Sequence, residues 1–450
     1  MKRSRRLRLP ALALVAVATL TAAACSSSAG SSPSSSGNSS SAALTSSAPG
    51  ITSTTITIGG TTPLTGVAAP GYSLIDPAAT AYFDYVNAHG GVYGRKIVFK
   101  YLDDAYNPTT TASVTRQLVL QDNVFGTFLN LGTPTHLAVV KFLNSEKIPD
   151  IFVASGCECW DSPATEPETF GWQLDYVREG KILGQYIAQH YKGEKVAYFY
   201  QDDEFGMDGV KGLDYEIPAS QVVSRQSYAD TNTNVAPQVA ALKASGAQVV
   251  VSFSVPAFTA LLKLTSLKLG FSPQLVVSDV GSDAVTLSGL LESFAKQGGA
   301  TVNGNSLING IVTDGYLPAY SDTSNSWIQL FNKVQTQYDP SAPKDDGNVE
   351  YGIAAAYSFV QAMLAAGRNP TRADLISALN AGIAQGPLVA PYAYSSTDHL
   401  GVTGAYLGTI KNGALVPQGS VLVTDTTPTG AITAMTGTQP AAPASGIAAP

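Results

Sequence analysis

The run Asn87-Ala88-His89-Gly90-Gly91-Val92-Tyr93-Gly94-Arg95-Lys96-Ile97 holds the transition that organises this chain. Upstream, over Ala78 to His89, apolar residues recur every three or four positions, the period of a helix with one buried face. Two glycines then close the segment, as suits a helix C-terminus that must turn left-handed. From Lys96 to Leu102 a strand begins. Outward from this point the unit repeats. The sequence predicts strands over Ile56 to Ile58, Lys96 to Leu102, Val124 to Leu131, Ile151 to Ala154, Val196 to Tyr200, Val222 to Tyr228, Val249 to Phe253, Leu275 to Ser278 and Ile311 to Tyr316. Helical segments such as Val177 to Tyr191, Val235 to Ala244, Trp327 to Tyr338 and Tyr351 to Ala366 fall between them, and after Pro387 the pattern changes to short strands and turns. Strand and helix in alternation imply parallel sheets with crossover helices, an α/β class. Nine strands in one twisted sheet would be wide, and domains divide near this length, so two doubly wound lobes are expected. Ligands then sit outside the carboxyl ends of the strands, in the cleft between the lobes.

The ends of the chain differ from this body. Five of the 26 basic residues stand at Lys2, Arg3, Arg5, Arg6 and Arg8, followed by an apolar run from Ala11 to Leu20 and then Ala22-Ala23-Ala24 before Cys25. That is the layout of an export signal over residues 1–24. A cysteine directly after a small-residue box is the acceptor of a lipid anchor, so Cys25 is the expected lipidation site, with unlipidated export of the same chain as the alternative. Without the basic start, 21 basic residues face 33 acids, a net charge of −12, which argues against nucleic acid as a partner. Residues 25–55 carry 14 serines and no charge, the composition of a tether that cannot bury enough apolar surface to order itself. Residues 426–450, uncharged and rich in Ala, Thr, Pro and Gly, read as a disordered tail. No other stretch approaches the ~18 apolar residues of a membrane helix.

Several chemistries lack their motifs. Neither GxxxxGK[ST] nor a GxGxxG opening a helix is present, so no nucleotide cofactor is expected. His89, His136, His190 and His399 are scattered without metal-ligand spacing, and no GxSxG elbow occurs. No metal and no catalytic residue are expected. Asp202-Asp203-Glu204 with Asp208 departs from a calcium loop and reads as a solvated turn after a strand. Cys157-Glu158-Cys159 stays open between two cysteines of no special role, a disulfide, and a metal thiolate pair. An amide hydrolase would use Cys157 with a histidine as its nucleophilic pair.

The run Asn87 to Ile97, followed by Asp103-Asp104 and Pro108, resembles the periplasmic Leu/Ile/Val-binding protein family of ABC importers. Ile58-Gly59-Gly60-Thr61-Thr62-Pro63-Leu64-Thr65-Gly66 is similar to that family's first strand and loop, and Tyr200-Gln201-Asp202-Asp203-Glu204-Phe205-Gly206 to the loop starting its second lobe. The resemblance covers Ile56 to Asp425. It implies a type I periplasmic binding protein fold, two lobes joined by three crossover strands and closing on a small ligand by a hinge. Residues 56–173 and 313–386 would form the first lobe, 174–312 and 387–425 the second.

In the family's cleft an amino acid is held by hydroxyls, backbone groups and one acid. Thr135, with Thr133 in the same Gly132-Thr133-Pro134-Thr135 loop, matches the carboxylate-binding hydroxyl, or simply caps the following helix. Ser155 and Gly156 fall where the family uses a carbonyl and a threonine, and Gly156-Cys157 departs from that pattern. Phe205 and Tyr72 match aromatic positions near the ligand, or are core. Asp279 is the expected partner of a ligand ammonium, or an N-cap. Trp160 either lines the cleft mouth or packs beneath it. The implied protein is a monomeric, non-enzymatic solute-binding component of an ABC importer, on the outer face of the membrane through lipidated Cys25, taking a branched-chain-type amino acid or a related small molecule to its permease. An extracellular sensor domain with the same cleft is the alternative.

Overall fold

A computed structural model describes residues 43–449. The expected export signal, the expected lipidation site Cys25 and residues 26–42 of the expected tether lie outside them. Within the described residues, thirteen strands make two sheets. In the first, β1 (Thr55–Thr62), β2 (Lys96–Asp103), β3 (Thr127–Phe128), β4 (Asp150–Val153) and β5 (Thr169–Gly171) run in the order β2-β1-β3-β4-β5, all parallel. The second holds β6 (Val196–Gln201), β7 (Val222–Tyr228), β8 (Val249–Phe253), β9 (Gln274–Val277), β10 (Val312–Gly315), β11 (Gly404–Lys411), β12 (Ala414–Val423) and β13 (Thr433–Ala434). Its order is β13-β12-β11-β10-β9-β8-β6-β7; β6 to β10 pair in parallel, and β10 to β13 turn antiparallel. The α/β class and the paired lobes read from the sequence are the observed architecture.

Local chemistry explains the elements. Helix Ile75–Ala88 ends at His89, and the Gly91 N–H returns to the Val86 carbonyl at 2.9 Å. Gly91 has φ +67, and a Cβ there would lie 2.0 Å from the Arg95 carbonyl oxygen, so only glycine admits the turn into β2. Helix starts are set by short acceptors. Asn107, Asp175, Asp203, Asp283 and Asp346 each accept backbone N–H bonds from the first turn they precede. The long helix Gly347–Ala365 is buried along most of its length and lies against Ile75–Ala88. Its Gly352 permits that approach, since a Cβ would stand 2.1 Å from the Ile75 carbonyl oxygen.

Within the two sheets the structure differs from the sequence reading at four places. Strand β3 keeps only two residues of the predicted Val124 to Leu131: Leu129 turns to φ +56 and breaks the run, and Leu131 resumes pairing only as a lone bridge to Ala154. Three-residue β5 is too short to show a period. The boundary placed at 312/313 falls inside the second sheet, since β10 pairs with β9, and the chain leaves that sheet only after Gly315. Residues assigned to the second lobe from 387 first pack on the first sheet: Tyr392 and Tyr394 stack on Phe152, and His399 stacks on Phe170 at 3.7 Å between centroids.

Both low-complexity ends were expected to be disordered, and their described parts are held through backbone carbonyls. Arg95, fully buried, donates to the carbonyls of Thr45, Thr52 and Arg368 and so fixes residues 45–52. Lys181 donates to the carbonyls of Asp425, Thr427 and Gly430. Further on, Trp327 Nε1 donates to Pro440, Tyr85 to Ser445 and Tyr82 to Gly446. Composition describes what side chains can bury, and these segments are anchored by main-chain acceptors that every residue has.

Candidate functional site

A cavity of about 130 Å³ lies between the two sheets. Its walls come mostly from the loops that follow parallel strands. On the first sheet's side, Tyr72 follows β1, Tyr106 follows β2, Leu131, Gly132 and Thr133 follow β3, Ala154 follows β4, and Gln173 follows β5. On the second, Phe205 follows β6, Val255 follows β8, Asp279, Val280, Ser282, Asp283 and Ala284 follow β9, and Tyr316 to Tyr320 follow β10. Helix Gly347–Ala365 adds its first turn with Asn348, Glu350 and Tyr351, and Tyr406 projects from β11. This is the carboxyl-end crevice that the strand pattern implies.

Four of the seven ligand-binding residues named from the sequence line it: Tyr72, Thr133, Phe205 and Asp279. Tyr72 donates its hydroxyl to the Val280 carbonyl at 2.8 Å, joining the two walls. Phe205 packs on Tyr176 with centroids 4.6 Å apart. Thr133 shares a 2.7 Å hydrogen bond with Ser155 Oγ.

The other three do not line the cavity. Thr135 is buried and donates its hydroxyl back to the Leu131 carbonyl at 2.5 Å, bracing its own turn. Ser155 supports Thr133 from behind, and the Gly156 carbonyl accepts the Tyr176 N–H at 2.7 Å. A Cβ on Gly156 would stand 2.2 Å from the Leu174 carbonyl oxygen, which explains glycine there without a ligand. Trp160 packs beneath, its Nε1 on the Ser155 carbonyl and its ring edge-on to His136.

Asp279 is not a helix cap; that role belongs to Asp283, which accepts from Thr286 N and, across the cleft, from Gly347 N. Instead the Asp279 N–H is held by two carboxyls, Glu179 Oε1 at 2.8 Å and Asp314 Oδ1 at 3.2 Å. Burial pushes the Asp279 carboxyl up, and the charge of Asp314 adds to the effect. Burial likewise raises Glu179 to about 7 and Asp314 well above the usual carboxylate range. Asp283 and Glu350 are raised by burial too. Among the described residues, no Lys, Arg or His lines the cavity.

The residues missed by sequence reading include six tyrosines and the acids Asp283 and Glu350. Tyr316 was read as the last residue of a strand, Ile311 to Tyr316, but the strand ends at Gly315, which puts Tyr316 first in the loop that follows. Glu350 and Tyr351 open a helix and gave no such signal.

Near the cleft, Cys157 and Cys159 form a disulfide, so their sulfurs are not thiolate ligands. The loop they close reaches across: the Glu158 N–H donates to Asp208 at 2.8 Å and its carboxylate pairs with Lys211. Asp203, expected in a solvated turn, is instead half-buried; it caps helix Glu204–Glu216 and accepts from Gln201 at 2.7 Å.

A family model described as periplasmic binding protein matches residues 55–414. A Leu/Ile/Val-binding protein homologue of Brucella melitensis is 25% identical over 198 residues, covering 42% of this chain and 51% of that protein. The chain thus spans about half the length of the curated relatives it matches. A branched-chain amino acid ABC transporter protein from Thermus thermophilus with bound valine superposes with TM-score 0.69 at 19% identity, over 83% of this chain and 97% of that one. A fatty acid ABC transporter substrate-binding protein from Thermomonospora curvata gives 0.70 at 21%, over 84% and 95%. At these identities the likeness shows the fold.

Proposed function

The chain belongs to the periplasmic binding protein family, and we propose that it is the solute-binding component of an ABC importer, capturing an amino acid of branched-chain type or a related small organic ligand by cleft closure. The family is one of solute-binding proteins rather than enzymes, and it places the chain outside the cytoplasm. Among the described residues, no helix is long and apolar enough to cross a membrane. Anchoring by a lipid on Cys25 and delivery to a permease by a monomer are part of the proposal.

One observation carries it: the cavity is closed by loops of both sheets, with Asp279 from the second and Thr133 from the first among its polar groups. Asp279 would hold a ligand ammonium, Thr133 a second polar group, and Tyr72 and Phe205 the apolar body. Contacts from two walls supply differential affinity for the closed state, the requirement for a ligand-driven closure. No bond needs to be made or broken.

A thermal-shift screen of the exported chain against amino acids, short amides, amines, small aromatic acids and sugars tests this. A ligand at 100 times its Kd adds about 2.7 kcal/mol, so a true ligand raises the melting midpoint visibly. Asp279→Asn should abolish that rise. No rise with any compound would overturn the reading, and recovery of permease subunits with the bound chain would support the importer role.

A further inference from the structure

Resting on the solute-binding reading above, we infer that this cleft selects a small organic cation, an amine without a compensating carboxylate, over a zwitterionic amino acid. Its lining carries three carboxyl groups, Asp279, Asp283 and Glu350, and, among the described residues, no cationic side chain. Two of them come from the loop after β9 and the third from the facing helix, so acid is presented from both walls.

Glu350 is the independent observation. It is nine-tenths buried, lines the cavity, and has neither a hydrogen-bond nor an ion-pair partner for its carboxyl group among the described residues. The charged groups acting on it are Asp283, Asp345 and Asp346, all acids. A buried carboxyl group without a partner is costly, and a cation in the cavity is the group that would offset it. Asp283 already accepts from two N–H groups and Asp279 from Tyr316, so Glu350 is the one carboxyl of the three with no bond of its own and joins Asp279 as an acceptor for the cation.

The opposite end of a zwitterion finds less. Thr133 offers a hydroxyl already committed to Ser155, and no Arg or Lys is present to neutralise a carboxylate. Seven tyrosines and one phenylalanine line the same space. Such rings suit an ammonium with an apolar body, since a cation gains from an aromatic face. The volume is near that of a cavity that takes benzene, so the ligand is small. A metal ion fits less well: the acids of this wall do not bring three ligand oxygens within reach of one another, and the one group among the described residues that does so contains the disulfide sulfurs.

Three molecules that share a 3-methylbutyl group separate the charges: 3-methylbutylamine as cation, L-leucine as zwitterion and 4-methylpentanoate as anion. Titrated into the full exported chain by calorimetry, the amine should bind at least tenfold tighter than leucine, and the acid not at all. Glu350→Gln should weaken the amine at least tenfold, with an unchanged melting midpoint showing that the fold survives. If leucine binds as tightly as the amine or tighter, the inference fails while the solute-binding reading stands. If the amine binds equally well to Glu350→Gln, the inference fails as well. Calcium binding that vanishes in Glu350→Gln would overturn it in favour of a metal site, and silence from all three molecules and from the wider screen would remove both readings.

Discussion

Tyr72 donates its hydroxyl to the Val280 carbonyl across the cleft at 2.8 Å, so a side chain that follows the first strand of one sheet is tied to the loop that follows the fourth strand of the other. That bond exists only with the walls together. A net hydrogen bond is worth about 0.5–1.5 kcal/mol, so Tyr72→Phe should weaken ligand binding about two- to tenfold. The ligand-free melting midpoint should stay nearly constant. Equal binding by both proteins in calorimetry would show that the bond does not favour closure.

A second cross-cleft link is ionic. Lys211 pairs with Glu158 on the disulfide-closed loop, and both side chains are about one-third exposed. Exposed pairs contribute about 1 kcal/mol at most and are screened by salt. Raising salt from low to high ionic strength should therefore weaken wild-type binding by up to about fivefold, and Lys211→Met should bind as the wild type does at high salt. A variant with the same salt slope as the parent would exclude the pair from closure.

The buried acids set a pH dependence. Burial raises Glu179 and Asp175 to about 7, and burial with the charge of Asp283 raises Asp346 to about 7. Between about pH 4 and 7 the folded chain thus holds protons that the unfolded chain has released. Stability from these groups is complete below about pH 4 and is lost as pH rises through 7. The ligand-free melting midpoint should be higher at pH 5 than at pH 8, with Glu179→Gln flattening the difference. A midpoint that rises over this range would contradict the assignment.

How much of this was legible follows from what each signal measures. Periodicity reports burial on one or two faces, so the strands Val222 to Tyr228 and Val249 to Phe253 were found to the residue, and the long helices to within about one turn at their starts. It says nothing of β5, which has three residues, or of β10's partner, because pairing is a tertiary property. At the site, Tyr72, Thr133, Phe205 and Asp279 were reachable because the family resemblance points to the loops that follow strands, where each of them lies. Thr135 was not separable from Thr133 by sequence, since two hydroxyls two residues apart point to different sides of one turn. Glu350 was hidden because a helix N-terminus with acids reads as capping, which Asp346 does perform.

The C-terminal segment is the plainest departure, and it is testable. A chain ending at residue 436 loses the acceptors of Trp327, Tyr82 and Tyr85. Three hydrogen bonds at about 1 kcal/mol each amount to about 3 kcal/mol and a fall of several degrees in melting midpoint. Trp327, now fully buried, should emit further to the red. An unchanged midpoint and spectrum would mean the segment adds no stability.

The central claim is that two walls close on one small ligand, and small-angle scattering of the exported chain reads that closure directly. Ligand-free protein should show a larger radius of gyration than protein saturated with the compound found by the thermal screen, with one molecule bound per chain by titration. Asp279→Asn should keep the larger radius at the same ligand concentration. A radius that does not change on saturation would contradict closure as the mechanism of capture.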